Sequence, residues 1–220
     1  MFNKFVFYLL VTIVPLNLLS QDKEGVIAKL ITKYGDINIL LYNSTPLHQQ
    51  NFIKLSNEGF YNDQLFHRVI NNFMIQTGDP NSKGADKGEF LGSGGVDYSI
   101  PAEFRENLYH KKGAISAARK GDSVNPKRVS SGSQFYIVQG QIYSQEQLDG
   151  FVKTGRHKAF TSEEIKSYTT IGGTPHLDAT YTVFGEVISG LSVLDTIASQ
   201  PVDSYNRPIE DIKLQIKIIK

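Results

Sequence analysis

Phe66-His67-Arg68-Val69-Ile70-Asn71-Asn72-Phe73-Met74-Ile75-Gln76-Thr77-Gly78-Asp79 brings one arginine, one glutamine and two large apolar side chains within nine residues, from Arg68 to Gln76. The stretch reads as a strand pair. If Val69 and Ile75 face a core, alternation puts Arg68, Met74 and Gln76 together on the opposite, outward face. For Arg68 taken alone, a surface arginine is the simpler reading. It is the grouping that points to a site.

The surroundings of this stretch are strand-like too. Val26 to Thr32 alternates around Ala28 and Leu30, and Gly35 to Tyr42 places Ile37, Ile39 and Leu41 on one face, with Lys33-Tyr34-Gly35 as a hairpin connection. Ile212 to Ile218 is the cleanest alternation in the chain. Strands with one wet face at both ends suit an antiparallel sheet or barrel. Short apolar runs punctuated by glycine lie between them: Phe73 to Gln76, Ala114 to Ala118, Gln134 to Val138 and Thr182 to Val187.

Two helices are predicted among the strands. Thr45-Pro46 reads as a cap with proline at the first helical position, followed by Leu47, Phe52 and Leu55 until Gly59. Leu191, Leu194, Ile197 and Ala198 form the second apolar stripe, ended by Pro201. The expected architecture is mainly β, a small closed barrel with helices over its ends. The polar stretch Gln141 to Gly173 breaks the rhythm. It reads as an inserted excursion carrying helix near Ser144–Leu148 and Thr161–Ile165, because it is too long for a bare loop.

Composition narrows the chemistry. With 220 residues, 40% hydrophobic and 20% charged, the chain is an ordinary globular one of one domain, or at most two small ones. Lys and Arg number 23 against 22 acids, so no basic field exists to gather nucleic acid. The cysteine count is 0, which excludes disulfide frameworks, thiol nucleophiles and Cys-ligated zinc. The five histidines show no metal-binding pairing, so no metal and no cofactor is expected. There is no G-x-S-x-G, and Gly92-Ser93-Gly94-Gly95 lacks the lysine and Ser/Thr of a phosphate loop. Asn43-Ser44-Thr45 matches a glycosylation sequon by accident, with Pro46 directly after it.

Lys4 followed by the apolar run Phe5 to Leu19 and a small residue, Ser20, reads as a cleaved signal peptide over 1–20. A spanning helix needs about 20 apolar residues. The expectation is an exported chain in the periplasm or cell envelope, or secreted, with no stable membrane insertion once the leader is removed. Residues 21–220 then form one domain.

The 66–79 stretch is followed, in order, by Gly94-Gly95, Pro101-Ala102-Glu103-Phe104, Gly113-Ala114-Ile115-Ser116-Ala117-Ala118, Gly132-Ser133-Gln134-Phe135-Tyr136-Ile137, and Leu177-Asp178 leading to Tyr181-Thr182-Val183-Phe184-Gly185-Glu186-Val187. In this order the motifs resemble the cyclophilin family of peptidyl-prolyl cis/trans isomerases, over about Val26 to Lys220 apart from the excursion. The resemblance implies an eight-stranded antiparallel barrel capped by two α-helices and an enzyme for X–Pro bond rotation in exported or folding polypeptides. Such a mechanism works without covalent chemistry, by stabilising the twisted amide. It also implies site residues. Arg68 matches the catalytic arginine, and Gln76 the glutamine that orients it and touches the substrate. Phe73, Met74 and Leu177 match the walls of the proline pocket, and Ala118 a backbone-contact position. His67 matches the histidine beside the arginine, and Gln134 joins the substrate contacts.

Departures from the family pattern set further expectations. Tyr136 stands at the pocket floor, where phenylalanine is usual, so its hydroxyl needs a partner. Arg119 replaces a common asparagine, and Tyr181 a common histidine at the rim. His176 stands where cyclosporin-sensitive members carry tryptophan, which implies weak cyclosporin binding. The excursion precedes His176-Leu177 and so lies near the rim. Expected partners are proline-containing polypeptides, bound by a monomer. Two other readings remain at this point: a module that grips proline segments or unfolded chains with little turnover, and an unrelated ligand-carrying β-barrel.

Overall fold

The computed structural model describes residues 24–219; the expected leader, Met1 to Ser20, lies outside the described residues. Strands β1 (Gly25–Thr32) and β2 (Gly35–Tyr42) form the hairpin that the alternation predicts, in register from Gly25↔Tyr42 to Thr32↔Gly35. Gly35 turns the chain at φ +123°, a conformation that L side chains rarely adopt. From this hairpin the sheet grows both ways, always antiparallel. β10 (Leu214–Ile218) pairs with β1. On the other side come β9 (Val183–Ser189), β6 (Ala114–Ala117), β8 (Phe135–Val138), β4 (Met74–Thr77) and finally β3 (Arg68–Ile70). A separate two-stranded sheet joins β5 (Ser99–Ile100) to β7 (Ser130–Ser131).

The curled eight-stranded sheet is not closed by a ladder, which corrects the expected closed barrel. The Val69 N–H of β3 donates to the Asn206 carbonyl at 2.8 Å, so a turn occupies the edge that β10 would need. The seam is stitched one segment earlier. Asp63 N–H donates to the Leu214 carbonyl, Leu214 N–H to Gln64 and Phe66 N–H to Ile212, each at 3.0 Å.

Helices α1 (Pro46–Asn57) and α4 (Leu191–Ala198) cover the sheet. Phe52 and Leu55 from α1, and Leu194 and Ile197 from α4, pack with Ile37, Ile39, Val69, Ile75 and Phe135 in the main core. The Phe52 and Phe135 rings meet edge to face at 5.1 Å, a geometry worth about 0.5–1.5 kcal/mol beyond area burial. Two local expectations fail. Leu47 is 47% exposed, and His48 is buried in its place. Thr45 gives no side-chain cap; its hydroxyl bonds the Tyr42 carbonyl. The Glu103 carboxylate caps α1 instead, accepting the Leu47 and His48 N–H groups at 3.2 and 3.0 Å, so a negative charge from 55 residues away meets the positive helix end.

The polar 141–173 excursion carries α2 (Gln145–Lys153) and α3 (Ser162–Thr170), each opened by a capping box, Ser144 with Gln147 and Thr161 with Glu164. Tyr143, Leu148 and Tyr168 of the excursion form a small core with Tyr109 from the segment before β6. The excursion's two ends meet at the bridge Gln141↔Gly173, where a Cβ on Gly173 would stand 2.2 Å from the His110 carbonyl oxygen. Among the described residues no helix is long and apolar enough to cross a membrane.

Candidate active site

Alternation carries Val69, Ile75, Ile115 and Ile137 inward to the main core. The same strands therefore turn Arg68, Met74, Gln76 and Tyr136 to the outer face, where Met74, Tyr136 and Val183 form a second cluster with Phe73, Leu177 and Tyr181. Register does the rest: Arg68 lies opposite Gln76, and Gln76 opposite Tyr136.

A chain of amides fixes the arginine. Arg68 Nη1 donates to Gln76 Oε1 at 3.2 Å, and Gln76 Nε2 donates to Gln134 Oε1 at 2.9 Å. Gln134 Nε2 in turn donates to the carbonyls of Gly92 and Gly94, at 2.9 and 2.6 Å. Every link has the same sense, so turning one amide over would set donor against donor. The glycine loop is held from below by Asp79, whose Oδ2 accepts the N–H groups of Gly92 and Gly94 at 2.6 and 3.2 Å. A Cβ on Gly94 would come within 2.1 Å of Asp79 Oδ1, so Gly94 serves close backbone approach, while Gly92 is needed for its φ of +99°. Arg68 also lies over the Phe73 ring, with Cζ 5.8 Å from its centroid. Burial lowers its pKa from the ordinary value, but a guanidinium stays charged.

Beside Arg68 opens a cavity of about 550 Å³. Phe73, Met74, Leu177 and Tyr181 wall it, Tyr136 floors it, and His67, Gln76, Ala118 and Arg119 complete the anticipated lining. The Arg119 guanidinium stacks on Tyr181, Cζ 4.4 Å from the centroid, and is tied to the Thr180 carbonyl at 2.7 Å. Burial drives the His67 pKa down to about 4 against the opposing pull of Asp79, so its imidazole is neutral at pH 7.

Two anticipated substrate contacts do not line the cavity. Gln134 stands behind Gln76, spent on the amide chain. His176, in the single turn Pro175–Leu177, stacks on Phe73 with ring centroids 5.7 Å apart and does not reach the cavity lining. The Tyr136 hydroxyl has the partner it needs, His110 Nε2, at 3.1 Å. Sequence reasoning missed the opposite wall, formed by Phe90, Leu91, Tyr205 and Asn206. Phe90 and Tyr205 meet edge to face at 5.6 Å and remain 64% and 53% exposed. Arg207, only 3% exposed, joins their two loops by donating to the Asp86 and Ala85 carbonyls and to Asp211. These residues lie more than 100 positions apart in the chain and carry no periodic signal.

The cavity sets a fixed guanidinium beside an apolar socket. Residues 27–218 match the family model described as cyclophilin type peptidyl-prolyl cis-trans isomerase/CLD. A protein of Staphylococcus haemolyticus that carries the name of a peptidyl-prolyl cis-trans isomerase is 34% identical over 201 residues, covering 91% of this chain and 93% of that one. A Streptococcus pyogenes relative named as a bifunctional phosphatase/peptidyl-prolyl cis-trans isomerase is 34% identical over 200 residues, but this chain spans only 39% of its length. A crystal structure of a Cryptosporidium parvum cyclophilin type peptidyl-prolyl cis-trans isomerase superposes with a TM-score of 0.64 at 28% identity, covering 90% of this chain and 99% of that one. Another, in the presence of the dipeptide Ala-Pro, gives a TM-score of 0.62 at 28% identity, covering 88% and 99%. This chain belongs to the cyclophilin-type peptidyl-prolyl cis-trans isomerases.

Proposed function

We propose that the Arg68 cavity accelerates rotation about X–Pro bonds in exported or folding polypeptides. The observation that carries this reading is the guanidinium held by Gln76 at the edge of an apolar socket of Phe73, Met74 and Leu177. An X–Pro bond resists rotation because the nitrogen lone pair is conjugated with the carbonyl; the barrier is roughly 18–20 kcal/mol. The socket grips the proline ring while the preceding carbonyl swings. As conjugation is lost the nitrogen becomes pyramidal, and an Arg68 N–H donates to its localised lone pair. No covalent bond forms or breaks, so no titrating acid or base is required.

A protease-coupled assay on a proline tetrapeptide tests the reading. Arg68→Ala should lower kcat/KM by about 10²–10³, the usual loss for a pre-placed electrostatic donor. A rate near wild type would remove Arg68 from the mechanism. Background rates in both proteins, with peptide binding retained, would leave a binding module. Proline-containing polypeptides are the partners, and the apolar run Phe5 to Leu19, read as a leader, supports their being in the periplasm, cell envelope or medium. Mass spectrometry of the mature N-terminus tests cleavage after Ser20. With His176 stacked on Phe73 and no tryptophan in the chain, cyclosporin inhibition should be micromolar or weaker.

A further inference from the structure

The Tyr136 hydroxyl ends a buried hydrogen-bond relay that begins inside the 141–173 excursion. His110, fully buried, approaches Tyr136 Oη with Nε2 at 3.1 Å and Asp178 Oδ1 with Nδ1 at 2.8 Å. Asp178 Oδ1 also accepts the His110 backbone N–H at 2.8 Å. Asp178 Oδ2 accepts from Tyr168 Oη at 2.6 Å and from His157 Nε2 at 3.1 Å. Tyr168 lies on α3, and His157 in the connection from α2 to α3.

The proton positions follow from the acceptors. A carboxylate only accepts, so His110 Nδ1 carries a proton, while the Tyr136 hydroxyl, able to donate or accept, pairs with Nε2. His157 faces two acceptors, Asp178 at Nε2 and the Lys158 carbonyl at Nδ1, the latter at 2.7 Å. Both its nitrogens are therefore protonated, and its positive charge compensates the buried carboxylate. The ring lies flat on Phe160, centroids 3.8 Å apart.

The relay's hub sits next to the pocket. Asp178 follows the wall residue Leu177, and the Tyr181 ring stands edge-on to both His110 and Tyr136, at 6.5 and 6.0 Å. Arg68 and Gln76 belong to a different network, which runs through Gln134 to the glycine loop. The two meet at the cavity and across the Gln76↔Tyr136 pair of β4 and β8.

We infer that the excursion is a working part of the proline pocket: Tyr168 and His157 act through Asp178, a positioning residue, to hold His110 and the Tyr136 floor in one arrangement. Resting on the isomerase reading, this inference assigns the excursion to the grip on the proline ring and leaves the twisting step to Arg68. Loss of a relay link weakens binding and spares turnover.

The test is a mutant cycle read by tetrapeptide kinetics and by calorimetric Kd for an Ala-Pro peptide. Tyr168→Phe keeps the ring and removes one donor; it should raise KM and Kd about fivefold with kcat within twofold. Asp178→Asn should raise them about tenfold. In a Tyr136→Phe background, Tyr168→Phe should change Kd less than twofold. A folded Tyr168→Phe protein with wild-type Kd, or equal losses in both backgrounds, would overturn the inference even if Asp178→Asn does not fold. The isomerase reading is tested separately by Arg68→Ala: should it fail, the Kd cycle still decides the relay. A wild type that neither turns over nor binds a proline peptide defeats both.

Discussion

Two polar networks border one cavity and treat charge in opposite ways. On one side Arg68 is half-buried and its partners, Gln76 Oε1, Met74 Sδ and the Phe73 ring, are all neutral, so its charge remains available to whatever enters. On the other side Asp178 is sealed: three side chains and one backbone N–H close around it, and none of its interactions points into the cavity. Burial raises the carboxyl's pKa, but the bonds from His110, His157 and Tyr168 outweigh this and bring it to about 2. An under-compensated charge serves chemistry, and a fully compensated one serves position.

The comparison breaks most visibly on substitution of its two charges. Asp178→Ala takes the acceptor from His110, His157 and Tyr168 at once and should cost about 3–5 kcal/mol of stability, read as a lowered urea midpoint. Arg68→Ala should lower kcat/KM by about 10²–10³ and leave that midpoint near wild type, because no other side chain needs its charge. If Arg68→Ala unfolds the protein, or Asp178→Ala leaves it as stable as wild type, the distinction is lost. Gln76→Ala comes next. It frees the guanidinium to wander and should cost about tenfold in kcat, with modest change in stability.

The smallest effect is a difference in pH dependence. His67, beside Arg68, is held neutral by burial with a pKa of about 4. From an unfolded value of 6.5, the unfolded chain binds more protons between these limits, so His67 makes stability rise with pH up to about 6.5. His157 is the reverse. Burial opposes its charge, but the bonds to Asp178 and Lys158 hold its pKa above 6.5, so its contribution is complete below 6.5 and is lost as pH rises through the raised value. Melting curves should show His157→Gln weakening the decline above pH 6.5, and His67→Gln flattening the rise between about 4 and 6.5, where His48 and His176, also lowered by burial, contribute too. A His157→Gln protein with an unchanged alkaline limb would show that the imidazolium does not brace Asp178.

Much of the catalytic side was legible in the chain. Strand alternation is a local property with a period of two, so placing Val69 and Ile75 inward left Arg68, Met74 and Gln76 no choice of face. The relay side was not legible. Tyr136 signalled only that its hydroxyl needed a partner. That partner, His110, lies 26 residues before it, and Asp178 another 68 beyond His110. The cap of α1 failed for the same reason: Thr45 is the local candidate, yet Glu103 arrives from elsewhere with a full charge and two oxygens.

The sequence by itself determined the strands of the main sheet, the two covering helices, the helical character of the excursion and the grouping of arginine, glutamine and apolar walls, because each follows from neighbours a few residues apart. Only the tertiary structure decided that the sheet stays open at β3, that Gln134 and His176 do not line the cavity, and that the excursion grips the pocket floor through Asp178. Those outcomes turn on which donor reaches which acceptor first when distant segments pack. A buried hydrogen bond depends on that placement to within a few tenths of an ångström, and no residue order encodes it locally.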